Sequence, residues 1–297
     1  MTVPTFDLQS HSTYSDGELS PADTVRAAYR AGVEVLALTD HDGVGGVEQA
    51  AESARALGVK LIPAVEISTI DFEDDDATPV LTRDLHICGY GIDPADEAMR
   101  EQLKRSRTDR ERRCDAMAEA LIELGWHLDE RVLEKQRAGG GSVGRPHLAL
   151  AVVAHSGNVE RLARERLIDP AEFLVAYLTE GRPAFRPRYA PSVEEAIALI
   201  HAAGGVAVWA HPFFDLGADE DVRETADRFR ALGLDGIEAF YLTHTRAQVE
   251  MAADYCTRYQ LLSTGSSDFH GPTHSRFNRF RAFETYGLEP HLGSLLD

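Results

Sequence analysis

Five fragments of this chain close short apolar runs with His, Asp or Glu. They are DLQSHSTYSDG (Asp7 to Gly17), TDHD (Thr39 to Asp42), VEIS (Val65 to Ser68), AHP (Ala210 to Pro212) and GSSDFHG (Gly265 to Gly271). A short apolar run bounded by turn residues reads as a buried strand. Where helices separate such runs, the strands lie parallel and their loops gather on one rim. Ligand-type residues at the ends of several strands therefore predict a barrel that collects them at one point.

The intervening sequence fits this reading. TFDLQSH is a predicted strand, and SPADTVRAAYRAG a helix with Ser20 as N-cap, Pro21 at its first position and Gly32 past its end. VEVLALTDH is a buried strand, GGVEQAAESARALG a helix stopped by Gly58, and VKLIPAVEIST a further strand. DFEDDDATP (Asp71 to Pro79) reads as an acidic hairpin loop before the strand VLTRDLHICGYGI. From Pro94 to about Gly181 nearly everything is helical, with Met99, Leu103, Met117, Leu121 and Leu124 near helical spacing. After Pro191 the alternation resumes, opened by the capping-box pair Ser192 and Glu195. The expected architecture is a parallel α/β barrel formed by residues 1–93 and 188–297, with an all-helical insertion over 94–187.

Composition excludes several classes. A net charge of -19 gives no general attraction for nucleic acid or an anionic membrane. Cys88, Cys114 and Cys256 have no paired spacing, which argues against disulfides and thiolate zinc sites; they read as small buried hydrophobes or free thiols. No basic, apolar leader opens the chain and no apolar run is long enough to span a bilayer. The expectation is a cytoplasmic protein.

The ligand-type residues point to metal chemistry. His11 and position 9 are two apart on one strand and so share a face, and Asp268 and His270 repeat that spacing. Asp16 follows in a turn ending at Gly17; Asp40, His41 and Asp42 lie just past the second strand; Glu66, His86 and His211 come from three other strand ends. Imidazole with carboxylate suits Mn, Fe, Zn or Co. So many candidates imply two or three ions sharing a carboxylate, which suits in-line phosphoryl displacement. Taken singly, Glu66 reads as a paired core carboxylate and Asp268 as a helix cap. His127, His155, His201, His244, His274 and His291 stand outside the set and read as surface or core histidines.

These fragments resemble the PHP family (polymerase and histidinol phosphatase), whose pattern is DLxSHxxxSDG, TDHD, GxEIS, AHP and GSDFHG. The resemblance runs from Asp7 to Gly271. The insertion, with GRPH at Gly144 to His147, is similar to that of stand-alone PHP phosphoesterases acting on nucleotide 3',5'-bisphosphates or short oligonucleotides. The resemblance implies a distorted (β/α)7 barrel with a trinuclear centre. It implies a first ion on position 9, His11, Glu66 and Asp268, and a second on Glu66, His86 and His211. A third would take Asp16, His41 and His270, and a hydroxide bridging the first two would attack phosphorus. Glu66, the bridge, and Asp268 are the catalytic candidates.

One position departs from the pattern: Gln9 stands where the family has His. A glutamine oxygen ligates hard cations but is a neutral, weaker donor than imidazole for transition metals. The first site is expected to be weaker, to take a different metal, or to be completed by water. Gln9 can instead hydrogen-bond a ligated water.

Arg145 and His147, in GGGSVGRPH, and Arg188 are the substrate-binding candidates, because an arginine fork matches phosphate oxygens and glycines permit close approach. Arg105, Arg107, Arg110, Arg112 and Arg113 read as a solvated helix face or a steering patch. No aromatic residue lies near that patch to stack bases, which favours a nucleotide or short oligonucleotide over long RNA. The expected activity is hydrolysis of a nucleotide phosphomonoester with two or three divalent ions (Mn, Fe or Zn). The alternatives are a 5'-3' exonuclease on short oligonucleotides, a histidinol phosphatase, or a PHP module that binds metal or nucleotide without turnover. Asp42 is close enough in sequence to be weighed as the proton donor.

Overall fold

The computed structural model describes residues 4–73, 81–138, 143–187 and 189–296. Two compact units form, one from Met1–Lys104 with Ala190–Asp297, the other from Arg105–Tyr189.

The first unit holds a sheet in the order β1 (Phe6–Asp7), β2 (Val35–Leu38), β3 (Lys60–Glu73), β4 (Leu81–Tyr90), β5 (Val206–Trp209), β6 (Gly236–Tyr241) and β7 (Leu262–Ser266). The sheet nearly closes. Leu8 N–H donates to Gly265 O at 3.1 Å, His11 N–H to Phe269 O at 2.8 Å, and Ser10 bridges Phe269 in parallel. Strands β1 to β3 and β5 to β7 pair in parallel, but β4 runs antiparallel to both neighbours. The expected all-parallel barrel is corrected at this strand. Only residues 74–80 join β3 to β4, and a parallel crossover needs about a dozen residues or more, so the two strands pair antiparallel. The expected acidic loop shrinks too: Asp71–Glu73 continues β3, and residues 74–80 lie outside the described residues.

Helices α1 (Pro21–Arg30) and α2 (Val47–Leu57) follow the first two strands. Ser20 caps α1 by accepting from Asp23 N, and Gly58 ends α2 with φ 72°. The single crossing from β4 to β5 carries α3 (Glu97–Glu123), α4 (Glu130–Ala138), α5 (Arg145–Ala154), α6 (Val159–Glu165), α7 (Pro170–Tyr177) and α8 (Val193–Ala202). Ser192 and Glu195 form the expected reciprocal cap of α8, at 3.1 and 2.8 Å. A short α9 (Pro212–Leu216), α10 (Asp219–Ala231) and α11 (Arg246–Tyr259) complete the barrel's outer layer.

The barrel core joins Ile67, Ile87, Trp209, Phe229 and Phe240 to Met99 and Leu103 of α3. The helical unit has its own core of Met117, Leu121, Trp126, Leu133, Leu148, Leu162 and Phe173. Burying each such side chain contributes about 1.5–3 kcal/mol. Leu124, expected on the apolar stripe of α3, is exposed instead. Arg113, expected on a solvated face, is buried; its Nε donates to Arg186 O at 2.6 Å and its guanidinium lies over Phe185. The three cysteines are buried and free, and burial pushes the Cys256 thiol up to about 12. Among the described residues no helix is long and apolar enough to cross a membrane.

Candidate metal centre

Glu66 is fully buried inside β3 and sits where the expected ligands meet. Its Oε1 lies 2.8 Å from His86 Nδ1 and 3.0 Å from His211 Nε2. Its Oε2 lies 3.1 Å from His11 Nε2 and 3.5 Å from His41 Nδ1. One carboxylate thus faces two pairs of imidazoles. Asp268 Oδ1 closes the first group at 3.0 Å from His11 Nε2. Asp16 gathers the third, 3.7 Å from His41 Nε2 and 3.5 Å from His270 Nε2. Three donor groups result: His11, Glu66 and Asp268; His41, Glu66 and His86; His11, Asp16, His41 and His270.

Local structure explains the convergence. Glu66 and His86 are not at strand ends, as the sequence suggested, but within β3 and β4, whose outer halves run on as a ladder from Ile67↔Ile87 to Glu73↔Leu81. Because β4 runs antiparallel, His86 pairs with Ser68, two residues beyond Glu66, from where its Nδ1 reaches Glu66 Oε1. Asp42, His211 and Asp268 take left-handed backbone at φ 49°, 31° and 50°. Such conformations are disfavoured for non-glycine residues and concentrate at functional sites. Gly17 explains the end of the first fragment: a Cβ there would sit 2.4 Å from His11 O.

The other acids of these fragments hold loops. Asp40 accepts from Ser12 N, Ser12 Oγ and Ser15 Oγ at 2.7 to 2.8 Å, tying the first fragment to the second. Asp7 accepts from Ser267 N and Arg281 N, fixing the loop after β7. Asp42 accepts from Ser68 N at 2.9 Å, a bond that anchors the TDHD segment to β3.

Several residues of the site carried no sequence signal. Tyr241 OH donates to Asp268 Oδ2 at 2.8 Å. Asp215 Oδ2 lies 3.2 Å from His211 Nδ1. Glu238 is buried inside β6, accepting from His211 N at 2.8 Å and Ser266 Oγ at 2.5 Å. Burial, with Asp268's like charge adding, pushes its carboxyl up to about 8. Each is a single polar residue in an apolar run or a short helix, so nothing local marks it.

The electrostatics suit cations. Burial holds His41 down at about 4, hence neutral at pH 7, the form that ligates metal. Burial would lower His11 as well, but Asp268 and Glu66 raise it well above its usual value. Against the cost of burial, His41 and His86 hold Glu66 well below the carboxylate range. His11 Nε2, His41 Nδ1, Glu66 Oε2 and Asp268 Oδ1 are buried and make no hydrogen bond of good geometry despite these short separations. They aim at shared points rather than at one another, and the donors are imidazole and carboxylate only. The residues present therefore fit divalent cations of the Mn, Fe or Zn type. The three carboxylates Asp16, Glu66 and Asp268, shared among four imidazoles, also supply the charge that such ions require.

Gln9 is fully buried beside this set. Its Oε1 lies 3.5 Å from Ser266 Oγ, and its Nε2 is buried without a hydrogen-bond partner. Arg145 opens α5 and His147 Nδ1 accepts from Gly144 N at 3.0 Å, both in the helical unit and outside the barrel that carries the cluster. Arg188 and the glycine run 139–141 lie outside the described residues.

A seven-stranded barrel with a buried His, Asp and Glu cluster inside one rim defines a metal-dependent hydrolase. The PHP domain matches residues 7–177, and the chain belongs to that family. It is 34% identical over 272 residues to a 5'-3' exoribonuclease of Haemophilus influenzae, covering 90% of each chain. It is also 34% identical over 268 residues to a 3',5'-nucleoside bisphosphate phosphatase of Chromobacterium violaceum, covering 90% of this chain and 87% of that one. The solved structure of an amidohydrolase from Chromobacterium violaceum, with bound sulfate and no metal, superposes with a TM-score of 0.76 at 28% identity. That superposition covers 93% of this chain and 91% of the other.

Proposed function

We propose that this protein removes a phosphate from a nucleotide such as a nucleoside 3',5'-bisphosphate, using divalent ions held by the cluster. The observation that carries this reading is Glu66, whose two oxygens each face two imidazoles within 3.5 Å. In it, His11, Glu66 and Asp268 hold a first ion, with Gln9 at its edge. Glu66, His86 and His211 hold a second, and Asp16, His41 and His270 a third. Arg145, His147 and Arg188 contact substrate phosphates.

Ions bound there would neutralise phosphate charge and supply an activated water near neutral pH. The protein's part is orientation. His270 Nδ1 donates to Asp268 O at 2.7 Å, which keeps Nε2 as the free lone pair facing Asp16. Asp215 beside His211 Nδ1 keeps the proton on that nitrogen and Nε2 toward Glu66. Tyr241 occupies one oxygen of Asp268, so the other is the one offered to the centre. Burial of Glu66, His11 and Asp268 excludes bulk water and strengthens each of these interactions.

A second reading, exonuclease action on short oligonucleotides, is favoured by the Haemophilus influenzae relative. Metal analysis of the purified protein, with a phosphate-release screen over nucleotide mono- and bisphosphates, tests both. Stoichiometric bound metal and inorganic phosphate from a nucleotide are the expected results. Mononucleotides released from oligomers, without free phosphate, would replace the first reading by the second.

A further inference from the structure

A row of aromatic rings leads outward from the cluster within the barrel unit, and the ligand roles above leave it unused. Tyr241 lies 5.4 Å from His211, ring centre to ring centre. Phe214 lies 5.9 Å from His211 and 6.3 Å from Tyr241. Phe277, on the loop after β7, lies 6.2 Å from Phe214 and 5.5 Å from His270. Phe214 is 48% exposed, although it packs against His211, which is buried. The guanidinium carbon of exposed Arg276 is 5.9 Å from the Phe214 ring centre, and among the described residues no carboxylate pairs with it.

This surface is preformed. His274 Nδ1 accepts from both Arg276 N at 3.2 Å and Phe277 N at 3.0 Å, and its ring stacks on Phe277 at 5.2 Å. Glu18 accepts from Thr273 N at 2.9 Å and Asp7 from Arg281 N at 2.8 Å, fixing both sides of the loop tip. A half-exposed ring face with one cation beside it is too small to dock a protein, for which about 1,000 Å² is needed. It matches one flat, electron-rich heterocycle carrying a phosphate.

We propose that Phe214 and Phe277 form a nucleobase platform beside the metal centre, with Arg276 binding a phosphate of the same nucleotide. The proposal rests on the nucleotide reading above. The base stacks on the exposed Phe214 face, so recognition comes from its ring rather than from its hydrogen-bonding edge. The platform therefore accepts purines and pyrimidines alike. Arg276 acts on the phosphate and is indifferent to whether a base is present.

The test compares adenosine 5'-monophosphate with ribose 5-phosphate, titrated calorimetrically into metal-loaded protein while phosphate release is followed. The base is expected to tighten binding about tenfold, within the range of one base–aromatic stack. Phe214→Ala should bring that ratio to within about twofold of unity, and Phe214→Trp should restore it. Arg276→Ala should weaken both ligands alike and leave the ratio standing. Tyr29→Ala, at an exposed site on α1, should change neither. A wild-type ratio near one, or a ratio that survives Phe214→Ala, overturns the platform. Base-dependent binding with no phosphate released from any nucleotide would keep the platform and overturn the phosphatase reading. Nucleotide turnover with a ratio near one would do the reverse.

Discussion

The phenol of Tyr241 donates to Asp268 Oδ2 at 2.8 Å, and the other oxygen of Asp268 stands 3.0 Å from His11 Nε2. A carboxylate that would otherwise rotate is thereby given one inward oxygen. Removing the hydroxyl should loosen that oxygen without removing it. Tyr241→Phe is expected to weaken metal binding about 10- to 100-fold, the usual effect of losing a partner that orients a ligand. Titration of metal-depleted protein with Mn(II) measures this. Unchanged affinity would show that Tyr241 only fills space.

Gln9 is buried against Ser266, and in the proposed reading it stands at the edge of the first donor group. Gln9→His adds a stronger transition-metal donor without adding charge at neutral pH. Metal content and affinity should rise, by roughly tenfold in affinity, about 1.4 kcal/mol. Equal metal content and equal phosphate release in the two proteins would remove Gln9 from the account of the site.

Gly17 sits so close to the His11 carbonyl that any side chain must push the first fragment away from it. Gly17→Ala should cost about 1–3 kcal/mol as overpacking. It should also displace Asp16 from His41 and His270, so less metal should be retained. Urea denaturation and elemental analysis of the same sample check both parts, and a variant with wild-type midpoint and metal content would contradict the close approach.

His244 makes none of the cluster's donor contacts; it packs edge-on against Phe213 with Nδ1 donating to Ala239 O at 3.1 Å. Burial, the largest cause, holds its folded value at about 4, against 6.5 unperturbed. The unfolded chain therefore binds this proton more readily. The neutral ring's contribution is complete above pH 6.5 and is lost as pH falls toward 4, amounting to at most about 3 kcal/mol. His244→Phe should flatten the decline of urea midpoints between pH 7 and 4.5. A parallel decline in both proteins would show that His244 protonates freely in the fold.

Sequence reading found what short-range rules govern. Ser20, Gly58 and the Ser192–Glu195 pair mark helix ends because caps act within three or four residues. Gln9 and His11 were expected on one strand, but β1 ends at Asp7 and both lie in the segment beyond it. The resemblance picked out Asp16, Glu66 and Asp268, which the donor groups contain, but spacing alone did not say which residue of TDHD faces the centre. In TDHD, His41 points at Glu66 and Asp16, while Asp40 and Asp42 hold neighbouring backbone.

Tertiary structure alone decided the direction of β4, and with it the level at which His86 meets Glu66. It alone brought Tyr241, Asp215 and Glu238 to the ligands and set Phe214 and Phe277 side by side. The physical reason is range. Capping and alternation are fixed by backbone geometry over a few residues. A shared cluster forms only when a closed sheet brings together chain segments as far apart as Glu66 and His211, and their spacing along the chain carries no record of that approach.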